Sequence, residues 1–397
     1  MLHHLLKLIW KRKSRNMMLS LEILLAFIVV FAIVAFAVRN YQLSRIPTGF
    51  EWRDQWSVSI RNDRPLPNDA AIYDALKRGL LELPEVEKVA FTGLAAYEIS
   101  RMTWNYSLPD GSRRVESDSI ICSDDFFDAM QMTPVQGRWF SNADDGADAT
   151  PTVINRMLAD KLFPGIPAVG QVFIEAEATD KPRRFRVSAV VEQYRPRGEY
   201  MDPVYLALPR FVPGAGELQA GTIILRVKPG TPRAFEARLS ARLKREHNDW
   251  SFVISPLSES RKSMQKLQML PLVIMSVIAA FLLVMVAFGL FGVLWQNTTQ
   301  RIPEIGLRRA LGADAGHIYR QIIAEQMLLS TAAMAVALVL LIQLPLTGVF
   351  EESLNWPVFL TATALSAGVI YLLSLLCSLY PGWRAARLSP TQALHYE

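Results

Sequence analysis

Four stretches of this 397-residue chain, residues 24–38, 269–295, 327–350 and 357–380, contain no Asp, Glu, Lys or Arg. A bilayer's hydrocarbon core, about 30 Å thick, takes roughly 20 apolar residues of helix to cross. Three of the stretches reach that length unaided, and the first does so once residues 17–21 are added. The pattern predicts four spans, at residues 17–38, 269–296, 324–346 and 357–380. Helices buried in a soluble core are the alternative, but they rarely run so far without a charge. The first run also has the outline of a signal peptide, with a basic start and a small-x-small site at Ala35-Phe36-Ala37. It is long for such a segment and stays apolar through Val38, past the supposed cut, so an uncleaved anchor is expected.

Lys and Arg in the short flanks set orientation. Residues 1–16 carry Lys7, Lys11, Arg12, Lys13 and Arg15; the 297–323 linker carries Arg301, Arg308, Arg309 and Arg320; the 381–397 tail carries Arg384 and Arg387. These three segments belong inside. The 347–356 loop has Glu351 and Glu352 and no basic residue, so it belongs outside together with residues 39–268. The outer segment is close to neutral, so the net charge of +5 reflects membrane orientation and gives no reason to expect nucleic acid as a partner. Within residues 1–16, Leu2, Leu5, Leu6 and Ile9 fall at helical spacing beside Trp10. An amphipathic helix on membrane lipid and an unstructured positive flank both fit that pattern. Cys122 in the outer domain and Cys377 in the fourth span are expected to lie too far apart to bridge.

Residues 39–268 break into short elements at Pro65-Leu66-Pro67, Pro109-Asp110-Gly111 and Pro213-Gly214-Ala215-Gly216. Strands are expected at 172–174, 185–191, 204–208 and 222–227, and helices at 69–81, 124–130, 155–162 and 232–246. The fold class is an α-helical membrane protein with four transmembrane helices and a large α+β extracytoplasmic domain inserted between the first and second spans.

Four stretches, in order, resemble the periplasmic core domain of MacB-like permeases. They are Ile121-Cys122-Ser123-Asp124-Asp125-Phe126-Phe127-Asp128-Ala129-Met130 with Pro134-Val135-Gln136-Gly137-Arg138-Trp139-Phe140; Pro151-Thr152-Val153-Ile154-Asn155 leading to Leu158-Ala159-Asp160-Lys161-Leu162-Phe163-Pro164-Gly165 and Val169-Gly170-Gln171; Arg186-Val187-Ser188-Ala189-Val190-Val191; and Pro203-Val204-Tyr205-Leu206-Ala207-Leu208-Pro209. Gly137 and Gly170 suit turns of positive φ, and Phe126, Phe127, Phe140 and Phe163 suit a core.

A second signature is Arg301-Ile302-Pro303-Glu304-Ile305-Gly306-Leu307-Arg308-Arg309-Ala310-Leu311-Gly312-Ala313. Pro303 fits a first helical turn, Glu304 the positive end, Arg308 and Arg309 the negative end, and Gly312 a stop. This predicts a short capped helix in the inner linker. The sequence is similar to the coupling helix of MacB/FtsX-like ABC permeases, which sits in a groove of the ATPase subunit; Pro303 stands where many relatives carry a charge. A basic loop that only sets topology is the plainer reading, but charge alone does not call for this residue order. The tail from Tyr380 to Glu397 also resembles the family ending.

No Gly-x-x-x-x-Gly-Lys-Ser/Thr loop occurs, so no cofactor is expected on this chain and ATP is assigned to a partner. His3, His4, His247, His317 and His395 lack metal-ligand spacing, and Asp144, Asp145 and Asp148 read as a solvated loop rather than a calcium site. The span interiors lack the ionisable groups of a proton-coupled carrier. Ala287, Gly289 and Gly292 allow close packing of the second span, either within the chain or as a dimer seam. The resemblance implies a non-catalytic permease in the bacterial inner membrane, both termini cytoplasmic. Its partners would be an ABC ATPase subunit, a second permease copy or paralogue, and a periplasmic adaptor protein. Its work would be mechanotransmission, driving export of a peptide, antibiotic or lipid-linked molecule. An FtsX-like activator of a cell-wall hydrolase, a lipoprotein-release permease and an ATPase-independent membrane sensor are the rivals.

Overall fold

The structure, a computed structural model, describes residues 13–61, 67–176, 182–216, 218–348 and 354–387, with side chains from Met17 onward. The pattern of Leu2, Leu5, Leu6, Ile9 and Trp10, the Pro65-Leu66 pair, the Glu351-Glu352 pair and the tail from Leu388 lie outside the described residues. The chain forms two compact units, residues 43–268 and residues 1–42 with 269–397.

Helix α1 (Lys13–Ser44) is the first element among the described residues and leads into the outer unit. There follow β1 (Gln55–Arg61), α2 (Ala70–Leu81), β2 (Val86–Thr92), β3 (Thr103–Ser107), β4 (Val115–Ser119), α3 (Phe126–Met130), β5 (Pro134–Gly137), β6 (Thr150–Asn155), α4 (Arg156–Leu162), β7 (Val172–Glu175), β8 (Arg184–Val191), β9 (Leu206–Pro209), β10 (Thr222–Val227), α5 (Phe235–Glu246) and β11 (Ser251–Pro256). Then come α6 (Leu257–Gln300), α7 (Ile302–Ala310), α8 (Ala315–Leu341), α9 (Gln343–Thr347) and α10 (Trp356–Arg387).

Strands β11, β1, β10 and β2 lie in that order in an antiparallel sheet. Two β-α-β units, β1-α2-β2 and β10-α5-β11, therefore interleave, and everything between β2 and β10 is an insertion. Helix α2 begins where Asp69 accepts from the Ala71 N–H, and it turns Tyr73, Leu76 and Leu80 onto Phe91, Ile223 and Leu225 of the sheet. The insertion carries a second sheet, β5-β8-β6-β9-β4-β3-β7, in which β7 also pairs with β8, so that six strands close on themselves. Tyr106, Phe173 and Phe185 fill it, with ring centroids 5.0 to 5.4 Å apart. Gly137 and Gly170 take φ +77° and +88°, and Gly137 has no room for a Cβ against the Ser188 carbonyl. Phe126, Phe140 and Phe163 are buried, whereas Phe127 is half-buried against Trp139.

In the other unit, α1, α6, α8 and α10 are long and apolar enough to cross a membrane. Phe27 and Phe31 of α1, Leu290 of α6, Met334 of α8 and Phe359 of α10 meet in one buried cluster. Polar pairs join α8 to α10: Ser330 Oγ lies 2.8 Å from Ser374 Oγ, and Thr331 Oγ1 lies 2.8 Å from Tyr371 Oη. Hydropathy marks where a span meets lipid and not where its helix starts, so α1 and α6 outrun the spans of 17–38 and 269–296. Residues 258–268 are polar and yet helical, because Glu, Arg, Lys, Met, Gln and Leu all favour helix. The third helix stops at Leu341, and α9 closes on Gly348 at φ +67°.

Candidate coupling site

Helix α7 has the form expected from Arg301 through Gly312. Pro303 occupies the first turn, Glu304 the positive end, Arg308 and Arg309 the last turn, and Gly312 follows at φ +96°. Its two faces differ. Ile302, Ile305 and Gly306 are buried, and Ile305 packs with Ile318 and Ile322 of α8 and Ala385 of α10. Pro303, Glu304, Leu307, Ala310 and Leu311 face outward, with Leu307 57% and Leu311 81% exposed.

Three arginines hold the buried face in place. Arg301 reaches Glu325 of α8 at 2.5 Å, and Gln321 donates to the other oxygen of the same carboxylate at 2.9 Å. Arg308 pairs with Glu304 at 2.6 Å and donates to Gln321 at 3.3 Å. Arg309 donates to the Ala386 carbonyl of α10 at 2.6 Å. The short helix is thus fixed to the ends of two spans, and a push on its outer face acts on both. The basic pattern was legible in the sequence; the partners Gln321, Glu325 and Ala386 were not, since only folding brings them near.

Ala287, Gly289 and Gly292 do not act as one surface. The Ala287 carbonyl accepts from the Cys377 thiol of α10 at 3.6 Å. Gly289 faces Glu22 of α1, and a Cβ there would overlap the carboxylate. Gly292 alone looks onto open space. Glu22 is thus an acid inside the predicted first span, against the general absence of charge from the spans, and Gly289 makes room for it.

In the outer unit a joint forms that nothing in the sequence pattern signals. Arg195, 1% exposed, lies in the loop between β8 and β9. Its guanidinium donates to the carbonyls of Leu43 at 3.0 Å and Ile46 at 2.8 Å, where α1 ends, and to that of Glu199 at 2.6 Å. A cation at a helix C-terminus meets carbonyls left without intrahelical donors. From the same loop, Glu199 accepts from Arg261 at 2.5 Å and from Gln265 at 3.3 Å, while Gln268 donates to the Arg197 carbonyl at 3.1 Å. Arg261 also lies over Trp52, 4.4 Å from the ring centroid. The loop therefore grips the end of α1 and the start of α6 together. Burial around it raises the Tyr97 and Tyr194 phenols well above their ordinary value.

The acidic loop is largely exposed, and arginines pair with part of it. Asp144 is held by both guanidinium nitrogens of Arg138 at 2.6 and 2.8 Å and accepts from the Ser141 N–H. Arg138 lowers its carboxyl below the usual range. Asp145 pairs at 2.7 Å with Arg210, whose other side takes Asp124 bidentately at 2.7 and 2.8 Å. Asp145 and Asp148 stay exposed, as a solvated loop would have them, and two of the three acids also pair with arginines. Cys122 and Cys377 are both free and buried.

The profile of the MacB-like periplasmic core domain matches residues 17–242, and that of the FtsX-like permease C-terminal region matches residues 276–390. The chain belongs to the MacB/FtsX-like ABC permease family. It is 26% identical over 355 residues, 86% of its length, to a macrolide export ATP-binding/permease protein MacB of Marinobacter nauticus. It is 26% identical over 283 residues, 69% of its length, to another of that name from Chromobacterium violaceum. The chain spans 50% and 42% of these two relatives. The periplasmic region of MacB from Actinobacillus actinomycetemcomitans is matched at a TM-score of 0.40 and 14% identity, over 56% of this chain and 98% of that one. As a member of this family the chain is a multi-pass ABC permease with a large periplasmic-type domain between its first two spans.

Proposed function

We propose that the chain works as the membrane subunit of an exporter in the bacterial inner membrane. An ATPase on a partner chain would hydrolyse ATP, and the chain itself would hold no cofactor. Both termini and α7 would face the cytoplasm, because Lys7, Lys11, Arg12, Lys13 and Arg15, then Arg301, Arg308, Arg309 and Arg320, then Arg384 and Arg387 fall in the three short segments assigned to that side. The observation that carries the reading is the two-faced α7. Its inner face is clamped to α8 and α10, and Leu307 and Leu311 are left outside as an apolar tip for a groove in the ATPase. A second permease copy, or a paralogue, would supply the other half of the machine. The stripe Val273, Val277, Phe281, Val284 and Phe288 on α6, exposed in this chain, offers it an apolar helix face.

Closure of the ATPases moves α7, and α6 carries the movement as one unbroken helix into the outer unit. Work is then done on a periplasmic substrate by mechanotransmission. The two relatives are named for macrolide export, which favours an antibiotic as substrate; a peptide or lipid-linked molecule as substrate, and a periplasmic adaptor as a further partner, rest on the family resemblance.

Tagged protein is purified from its native membrane in mild detergent, and its companions are identified by mass spectrometry. An ATPase subunit in about equal amount is expected. Leu307→Asp with Leu311→Asp should abolish its capture, since burying two carboxylates in an apolar groove is prohibitive. Glu304→Ala with Arg308→Ala should lower ATPase stimulation while membrane insertion persists. No ATPase in the wild-type eluate, even after cross-linking through residues 301–312, would refute the reading and favour a membrane sensor.

A further inference from the structure

Arg384 and Arg387 close the last turn of α10, and among the described residues neither makes a hydrogen bond or an ion pair. The basic residues of the neighbouring α7 differ, since Arg301, Arg308 and Arg309 are all engaged within the chain. Each of the two instead lies over an indole. The Arg384 guanidinium carbon is 4.2 Å from the Trp295 centroid, and that of Arg387 is 4.4 Å from Trp383. A guanidinium whose face is stacked keeps its edge N–H groups free, fixed in direction and suited to a two-pronged grip on phosphate.

The rings themselves form a ladder. Trp295 and Tyr380 stack with planes 5° apart at 5.9 Å, and Tyr380 continues to Trp383 at 6.1 Å. Tyr380 and Trp383 are about half exposed. Position decides what such a ladder faces. The charge-free run of the second span ends at Trp295 and that of the fourth at Tyr380, so both rings stand where apolar helix gives way to polar chain. That is the level of lipid headgroups, at which Trp and Tyr collect.

We infer that Arg384 and Arg387, stacked on Trp295 and Trp383, form a binding site for the phosphodiester of an anionic phospholipid. The rings take the glycerol and upper acyl carbons, and the paired cations prefer a lipid with net negative charge over a zwitterionic one. The inference rests on the membrane spans and not on the transport reading, so each can fail without the other.

Delipidated full-length protein in mild detergent is titrated with dioleoylphosphatidylglycerol or dioleoylphosphatidylcholine, and bound lipid is counted by native mass spectrometry. Phosphatidylglycerol should bind in preference. Arg384→Gln with Arg387→Gln should weaken its binding about thirtyfold, from about 1 kcal/mol per cation near the headgroups. A control of equal charge change on the outer unit, Lys244→Gln with Arg245→Gln, should leave binding unchanged. Equal affinity for the two lipids would overturn the site. So would unchanged phosphatidylglycerol binding in the double Arg variant, or displacement of the lipid by inorganic phosphate. Loss of ATPase capture with lipid binding intact would reassign the two arginines to the protein partner.

Discussion

Arg195 shows how a single side chain can set the geometry of a joint. A guanidinium buried to this degree is held by backbone carbonyls of Leu43, Ile46, Glu199 and Met201, and the chain there also bends through Gly49 at φ +85°. A Cβ on Gly49 would run into the Gln193 carbonyl, so the approach of the two segments is as tight as backbone permits. Arg195→Met removes the donors and leaves those carbonyls buried. Such losses in a charged network cost about 3–5 kcal/mol. The apparent melting temperature of the purified protein should fall, and Arg195→Lys should recover part of the loss, since an ammonium supplies fewer and less fixed donors. An unchanged midpoint in Arg195→Met would mean that the carbonyls find other partners and that the clasp is dispensable.

Among the elements, α1 and α6 meet through a residue pair whose size is matched. Gly289→Leu should lower thermal stability in detergent, because the new side chain occupies the place of the Glu22 carboxylate; overpacking of this kind costs about 1–3 kcal/mol. Glu22→Ala should restore it, and failure of that rescue would show that the two helices are not in contact there. The spans themselves were legible because a lipid environment demands long charge-free runs, and α7 was legible because Pro303, Glu304 and Gly312 mark its start and stop locally. Strands β8 and β10 were foreseen from their Val-rich and Ile-rich runs. Strand β4, with the sequence Val-Glu-Ser-Asp-Ser, was not, as its polar Ser117, Asp118 and Ser119 are buried between neighbouring strands, Asp118 pairing with Thr103 in β3 and Leu206 in β9. Ala287 and Gly289 of α6 were legible as close-packing positions, but not their neighbours Cys377 and Glu22, which only the fold supplies.

At the scale of the molecule, two long helices run into residues 43–268, α1 at its end and α6 at its start. Both enter at the same loop, where Arg195 holds the end of α1 and Glu199 holds Arg261 and Gln265 of α6. If that loop is the place where helix movement becomes domain movement, cutting it should separate the two halves of the cycle. Arg261→Ala leaves α7 untouched, so on the proposed reading stimulated ATP hydrolysis should persist near the wild-type rate. Export, or the nucleotide-dependent distance change between spin labels on paired outer units, should be lost. The exchange Glu199→Arg with Arg261→Glu should bring the movement back, because the ion pair is partly buried and its sign, not its orientation, does the gripping. Export at the wild-type level in Arg261→Ala would place the transmission elsewhere, in the packing of Leu257 and Met264 against Phe50 and Tyr194. Parallel loss of hydrolysis and export would instead mean that the joint and α7 form one rigid unit, with the outer domain governing the ATPase as much as the ATPase governs it.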